Sequence, residues 1–324
     1  MYSSPILLTV PNVSAGREEH TVAQIARALA PAAGPGPRLL DVHRDPDHDR
    51  SVFTIAGRQG ELAEALLRGA SAVVDRVDLR TQEGVHPRVG ALDVAPLVYL
   101  DEPDRGAACA EALTAAALIG EDLALPVFLY GDLATDPDRR ERADLRAGGP
   151  QSLAERIERG DLRPDYGPAR AHPSAGATLV TARPPLVAFN LELETGDVEL
   201  ARWIAASVRE SGGGFAGVRA LGLMLAERGR AQVSLNVHDH RAAPLGHLVA
   251  AVRTEAPVTC AELVGLAPKA AFEGFPEDLP VRGFDPARHL IENALGSLGD
   301  DGEDQSQAPP QAPRHPGRHG LTPE

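Results

Sequence analysis

The second half of the chain alternates apolar segments in an order that leaves few ways to fold. Residues 179–193 read as a strand, which Pro184-Pro185 bend or place at a sheet edge. Residues 198–210 follow with Leu200, Trp203, Ile204 and Val208 on one helical face. Residues 218–225 and 232–237 read as two strands around a Glu227-Arg228-Gly229 turn. A helix near 245–253 and a strand near 258–264 complete a β-α-β-β-α-β order. That order is the split βαβ, or ferredoxin-like, arrangement.

The first half alternates in the same manner. Residues 5–10 form a short apolar run, and residues 18–30 carry Val22, Ile25, Ala26 and Leu29 at helical intervals. Residues 39–42 and 52–55 read as strands around the polar segment HRDPDHDRS. A helix over 59–67 leads into a strand over 72–79, and a further strand closes the stretch 84–99. Beyond it come an apolar helix over 105–119, a strand over 126–130, an Arg-rich helical segment over 136–159 and a loop over 163–176. Such alternation predicts sheets covered by helices. A boundary near residue 182 divides the chain into subdomains 1–181 and 182–297, and residues 298–324 are too rich in Pro, Gly and charge to bury a core. That tail is expected to be disordered, and its His315 and His319 lack a partner ligand set.

A net charge of −14 argues against a nucleic-acid partner, because phosphate binding needs a basic footprint. An anionic small molecule would need a local cluster of arginines. The two cysteines, Cys109 and Cys260, cannot build a disulfide framework and sit in apolar contexts. The N-terminus lacks a basic region ahead of its apolar run, and no stretch offers the about 18 apolar residues a membrane span needs. A cytoplasmic protein with no membrane partner is the expectation.

Chemistry concentrates in Gly84 to Tyr99, GVHPRVGALDVAPLVY. Pro87 biases His86 away from helical dihedrals, and Gly90 turns with little steric cost. His86 is therefore either a hydrogen-bonded turn residue or a proton carrier held beside a strand end. Arg88 suits bidentate pairing with a substrate carboxylate, or equally an internal pair with Asp93, which reads as an orienter of the loop. Asp45-Pro46-Asp47-His48-Asp49-Arg50 resembles the start of a calcium loop but lacks its glycine and distal glutamate. It is better taken as a polar loop beside a groove, where Asp41 or Asp45 favours a cationic ligand. His238-Asp239-His240 puts two imidazoles on one strand face without a third ligand, so a sheet edge is preferred to zinc. No metal is expected.

Several segments together resemble the formiminotransferase family, whose members move a formimino group from N-formiminoglutamate to tetrahydrofolate in histidine breakdown. The pieces are Val10-Pro11-Asn12 with Ser14 and Gly16-Arg17, Arg50-Ser51-Val52-Phe53-Thr54, and above all His86-Pro87-Arg88-Val89-Gly90-Ala91-Leu92-Asp93-Val94. Tyr130-Gly131, Pro164-Asp165-Tyr166-Gly167-Pro168, Gly176-Ala177-Thr178, Ala182-Arg183, Ala188-Phe189-Asn190, Gln232-Val233-Ser234-Leu235-Asn236 and Leu263-Val264-Gly265-Leu266 follow in the family's order.

The resemblance implies an α/β (α+β) architecture of two ferredoxin-like subdomains. Their mixed sheets face each other across a groove, with helices on the outer faces, usually in a homodimer. It implies His86 as general acid and base, with Asp41, Arg88, Gly167, Pro168, Arg170, His172, Gly176 and Arg183 toward substrate and folate. Tetrahydrofolate enters as co-substrate, and a separate cyclodeaminase would process the product.

The chain departs from the family pattern at His43, where an acidic residue is usual, and at Gln82, Glu83 and Val85 ahead of His86. Gly149-Pro150, Thr181 and Glu192 depart as well. Those changes leave two alternatives: transfer of a formyl group, from formylglutamate or a 5-formylfolate, and a folate-binding protein without catalysis.

Overall fold

The computed structural model describes residues 4–31, 35–46, 48–82, 87–226 and 228–300. The first unit runs β1 (Ile6–Thr9), β2 (Asn12–Val13), α1 (Glu19–Leu29), β3 (Arg38–Asp45), β4 (Arg50–Arg58), α2 (Leu62–Arg76) and β5 (Leu92–Tyr99). It continues through α3 (Arg105–Asp122), β6 (Val127–Leu129), α4 (Arg142–Arg146), α5 (Gly149–Glu158) and β7 (Thr178–Arg183). The second unit runs β8 (Val187–Leu193), α6 (Val198–Val208), β9 (Val218–Leu225), β10 (Arg230–Val237), α7 (Leu245–Arg253), β11 (Val258–Val264) and β12 (Val281–Arg282). Two helices, α8 (Pro286–His289) and α9 (Ile291–Asp300), follow.

The described residues form two mixed sheets. In the first, β4 pairs with β3 on one side and with β1 and β2 on the other, β5 follows antiparallel to β1, and β7 and β6 extend the sheet in parallel. In the second, the order β12-β11-β8-β10-β9 places the four long strands in the antiparallel 4-1-3-2 arrangement that the β-α-β-β-α-β reading predicts.

Each sheet buries one face under helices. Val22, Ile25 and Leu29 of α1 and Leu62, Leu66 and Val73 of α2 meet Phe53, Ile55 and Leu97 beneath the first sheet. Gly69 lets α1 and α2 approach closely, because a Cβ there would lie 2.2 Å from a Leu29 methyl carbon. Glu111, almost fully buried on α3, accepts the Ala63 amide at 2.7 Å and the Gly60 amide at 2.8 Å at the start of α2. Its carboxylate satisfies donors that a helix start leaves open. Under the second sheet, Val187, Phe189, Leu191 and Leu193 alternate inward onto Ile204, Leu248 and Val252.

Four sequence expectations change. Of the strand expected over 72–79, residues 72–76 are the end of α2, because Ala70 and Val73 continue the buried stripe begun by Leu62 and Leu66, and Val77 leaves the helix in an extended conformation. Short apolar runs do not distinguish the two periods. The single strand over 179–193 is two strands in different sheets, and Pro184-Pro185 carries the chain between them. The segment 136–159 is a short 3₁₀ turn with α4 and α5, the two helices parted where Gly148 and Gly149 adopt φ of 74° and 73°. Helix α9 also extends past Leu298 to Asp300, and the rest of the expected tail lies outside the described residues. No described helix is long and apolar enough to cross a membrane.

Candidate active site

The uncovered faces of the two sheets meet across a cleft. Val52, Thr54, Val94, Pro96 and Val98 of the first sheet oppose Ala188, Asn190, Ser234, Asn236 and Val264 of the second. At one end, Ile291 and Ala294 of α9 pack onto Leu8, Ala56 and Val98. At the other, Leu145, Leu153 and Ile157 of α4 and α5 pack against Val94, Phe128 and Leu179. This second closure turns Arg142 and Arg146 toward the cleft.

The cleft has a narrow inner part of about 80 Å³ and a wide outer part of about 820 Å³, which share Arg142, Arg146, Arg183, Ser234 and Asn236 as walls. Arg50, two residues before Val52 on β4, adds a further guanidinium to the inner part. Burial pushes the pKa values of Arg50 and Arg183 down to about 10, and neighbouring arginines, Arg146 beside Arg50 and Arg142 beside both, add to the fall. Arginines held in one another's field favour an anion between them. Asn12 Oδ1, His43 Nε2, Thr54 Oγ1 and Arg146 Nε belong to residues lining the inner part. All four atoms are buried without a hydrogen-bond partner among the described residues. Buried polar atoms are rarely left so, which marks the place for a polar ligand.

The loop that follows His86 is fixed on three sides. Val89 donates its amide to Asp93 Oδ1 at 2.7 Å, and Asp93 Oδ2 is ion-paired with Arg146. Ser14 Oγ donates to the Gly90 carbonyl at 2.8 Å. Ala91 donates to Ala175 at 2.9 Å, and Ala177 donates to Val89 at 3.1 Å. Gly90 is required there, since a Cβ would come within 1.7 Å of the Ala177 carbonyl oxygen. Pro87 lines the outer part of the cleft, whereas His86 itself lies outside the described residues.

Residues 6–183 match the N-terminal subdomain of the formiminotransferase domain, and residues 188–274 match the formiminotransferase domain. The chain belongs to the formiminotransferase family. It is 36% identical over 297 residues to a glutamate formimidoyltransferase of Streptococcus pyogenes serotype M1, a match spanning 90% of this chain and 98% of that protein. A glutamate formimidoyltransferase of Thermoplasma acidophilum is 34% identical, over 87% of this chain and 94% of its own length. A formimidoyltransferase-cyclodeaminase of Sus scrofa is 36% identical over 90% of this chain, which spans 57% of that longer relative.

Of the residues singled out in the sequence, Arg183 lines both parts of the cleft. Arg88 donates to the Gln82 carbonyl at 2.9 Å, and Asp93, offered as one of its two alternative partners, is ion-paired with Arg146 instead. Asp41 stands apart, its Oδ1 4.0 Å from His289 Nε2 of α8. Gly167 packs its backbone on Leu125 and Gly120, and neither it nor Pro168, Arg170 or His172 lines either part of the cleft. His172 and Gly176 exchange backbone hydrogen bonds at 2.8 and 2.9 Å. Gly176 also bridges Gly90, so this segment braces the loop that follows His86.

Sequence reasoning passed over Arg50, Arg142 and Arg146 as ligand-facing groups. Arg50 carried a faint signal, because Arg50, Val52 and Thr54 alternate onto one strand face.

Proposed function

We propose that this cleft transfers the formimino group of N-formimino-L-glutamate to N5 of tetrahydrofolate, with His86 as general acid and base. The observation that carries this reading is the inner part of the cleft. It joins Arg50, Arg146 and Arg183 to partnerless buried polar atoms, in a chain whose family membership covers both subdomains. The donor is small, carries two carboxylates and hydrogen-bonds through its amidine, which suits the inner part. The wide outer part, of about 820 Å³, has room for a pterin and its aminobenzoyl tail.

Folate N5 attacks the amidine carbon, a tetrahedral adduct forms, and the glutamate nitrogen leaves with a proton. One proton leaves N5 and one reaches the departing nitrogen. Imidazole chemistry of this kind contributes about 10²–10⁴-fold. Arg183 holds a carboxylate, Arg88 supports the loop that carries His86, and the 167–176 segment braces that loop. The family's usual acid is replaced by His43, but Asp45 lines the same cavity two strand positions on and supplies a carboxylate toward the amidinium. In this reading the protein acts in the cytoplasm as a homodimer.

The change at His43 favours, as a second reading, a neutral formyl donor. Purified protein, tetrahydrofolate and either formimino- or formylglutamate separate the two by product mass. His86→Ala is expected to abolish turnover while tetrahydrofolate binding persists. Turnover unchanged by His86→Ala would overturn the assignment.

A further inference from the structure

The hairpin turn between β3 and β4 carries an imidazole, His48, that the reaction as described above does not use, paired with Asp45. Asp45 ends β3, His48 lies in the turn, and both line the inner part of the cleft with Arg50. His48 donates its amide to Asp45 Oδ1 at 2.9 Å and pairs its Nδ1 with Asp45 Oδ2. The pair is secluded, His48 being 5% exposed. The turn is locked from outside as well. Asp49, with a φ of 47°, accepts the Gly16 amide at 2.8 Å and the Arg17 amide at 3.0 Å, and Ser51 Oγ donates to the Ala15 carbonyl at 2.5 Å. Gly16 sits so close to this turn that a Cβ would lie 2.3 Å from the Asp45 carbonyl oxygen. A carboxylate on Nδ1 orients an imidazole and stabilises its protonated form, leaving proton exchange to Nε2.

Resting on the reading above, we propose that His48, oriented by Asp45, is a second catalytic residue of formimino transfer and takes over the acid half of the work given there to His86: it protonates the departing glutamate nitrogen while His86 takes the proton from folate N5. The division follows from the cleft's two widths. The donor's amidine end fits the narrow inner part where Asp45 and His48 stand, and the folate fits the wide outer part that Pro87 lines. As N5 bonds to the amidine carbon, the carbon–nitrogen π pair moves to the amidine nitrogen and the N5 proton passes to His86. As the adduct collapses, the carbon–nitrogen bond to glutamate breaks, its electron pair stays on the glutamate nitrogen, and His48 Nε2 delivers a proton there. His86 ends protonated and His48 neutral, so exchange with solvent restores both with no net proton consumed. Burial raises the Asp45 carboxyl, but hydrogen bonds and charge from His48 outweigh this and hold it ionised below the usual carboxylate range.

The test is steady-state transfer by the full chain carrying His48→Gln, which keeps a side-chain donor toward Asp45 but carries no proton. Expected is a kcat loss of about 100-fold with KM for both substrates within about threefold. In His48→Ala, millimolar imidazole is expected to restore part of kcat. Tetrahydrofolate binding reports folding. Should His48→Gln lose it, Asp45→Asn decides, with an expected kcat loss of about tenfold and KM kept. A kcat for the folded His48→Gln within about threefold of wild type would overturn the proposal. So would a folded His48→Ala without any imidazole rescue, or an Asp45→Asn variant of unchanged kcat. If His86→Ala loses turnover while His48→Gln keeps it, this proposal alone fails. A wild-type chain inert toward formiminoglutamate overturns both it and the functional reading.

Discussion

Asp93 divides its carboxylate between Arg146, which faces the cleft, and the Val89 amide, which fixes the loop after His86 at 2.7 Å. One buried side chain thus ties the arginine-lined wall of the cleft to the loop that follows His86. It also explains how an arginine can sit 8% exposed and remain charged while burial lowers its pKa.

Asp93→Asn should therefore damage stability and site together. Removing one partner of a buried ion pair typically costs about 3–5 kcal/mol. Urea unfolding should show a loss of this size, and a loss under about 1 kcal/mol would mean that the pair contributes little.

Gly90→Ala drives a methyl into the Ala177 carbonyl oxygen, 1.7 Å away. The bracing of the loop after His86 by residues 175–177 must then open. A stability loss of about 3 kcal/mol is expected, with a fall in kcat larger than any rise in KM. Thermal melting and steady-state kinetics check both.

Arg183→Gln removes a guanidinium that lines both parts of the cleft. A charged hydrogen bond contributes about 1.5–3 kcal/mol, so KM for the dianionic donor should rise about 10- to 100-fold. The effect should shrink for a donor whose side-chain carboxylate is amidated. An equal effect on both donors would place Arg183 away from that carboxylate.

Asp41 yields a pH-dependent prediction. Burial raises its carboxyl above the ordinary value of 3.8, against the opposing pull of His289 and His43. A raised folded pKa contributes stability that is full below pH 3.8 and is lost as pH rises through the folded value. Asp41→Asn, which keeps the neutral shape, should be more stable than wild type at pH 7, with the difference vanishing toward pH 3. Denaturant titrations at the two pH values check the sign.

The second subdomain was legible because Val187, Phe189, Leu191 and Leu193 alternate cleanly and amphipathic helices separate the strands. The end of α2 was not, since Ser71 to Leu79 is apolar enough for either period and only packing against α1 and α3 decides. Gly90 stood out in the loop after His86 as a residue that turns at little cost, and it is where the chain packs closest on Ala177. Arg142 and Arg146 did not: they belong to an Arg-rich helical segment whose arginines nothing in the sequence tells apart. They reach the cleft because Leu145, Leu153 and Ile157 anchor α4 and α5 on the first sheet. Asp45 and His48 read as a polar loop beside a groove, and the pairing of β3 with β4 sets that loop at the cleft, whereas the pairing of His48 with Asp45 was not legible.

The central claim is that this cleft moves a one-carbon amidine group between glutamate and folate. Its most direct measurement is product analysis of the purified full chain supplied with N-formimino-L-glutamate and tetrahydrofolate. The account predicts 5-formiminotetrahydrofolate and free glutamate in equal amounts, with formylglutamate a far poorer donor. Glutamate release without a folate adduct, or preferred turnover of formylglutamate, would contradict it.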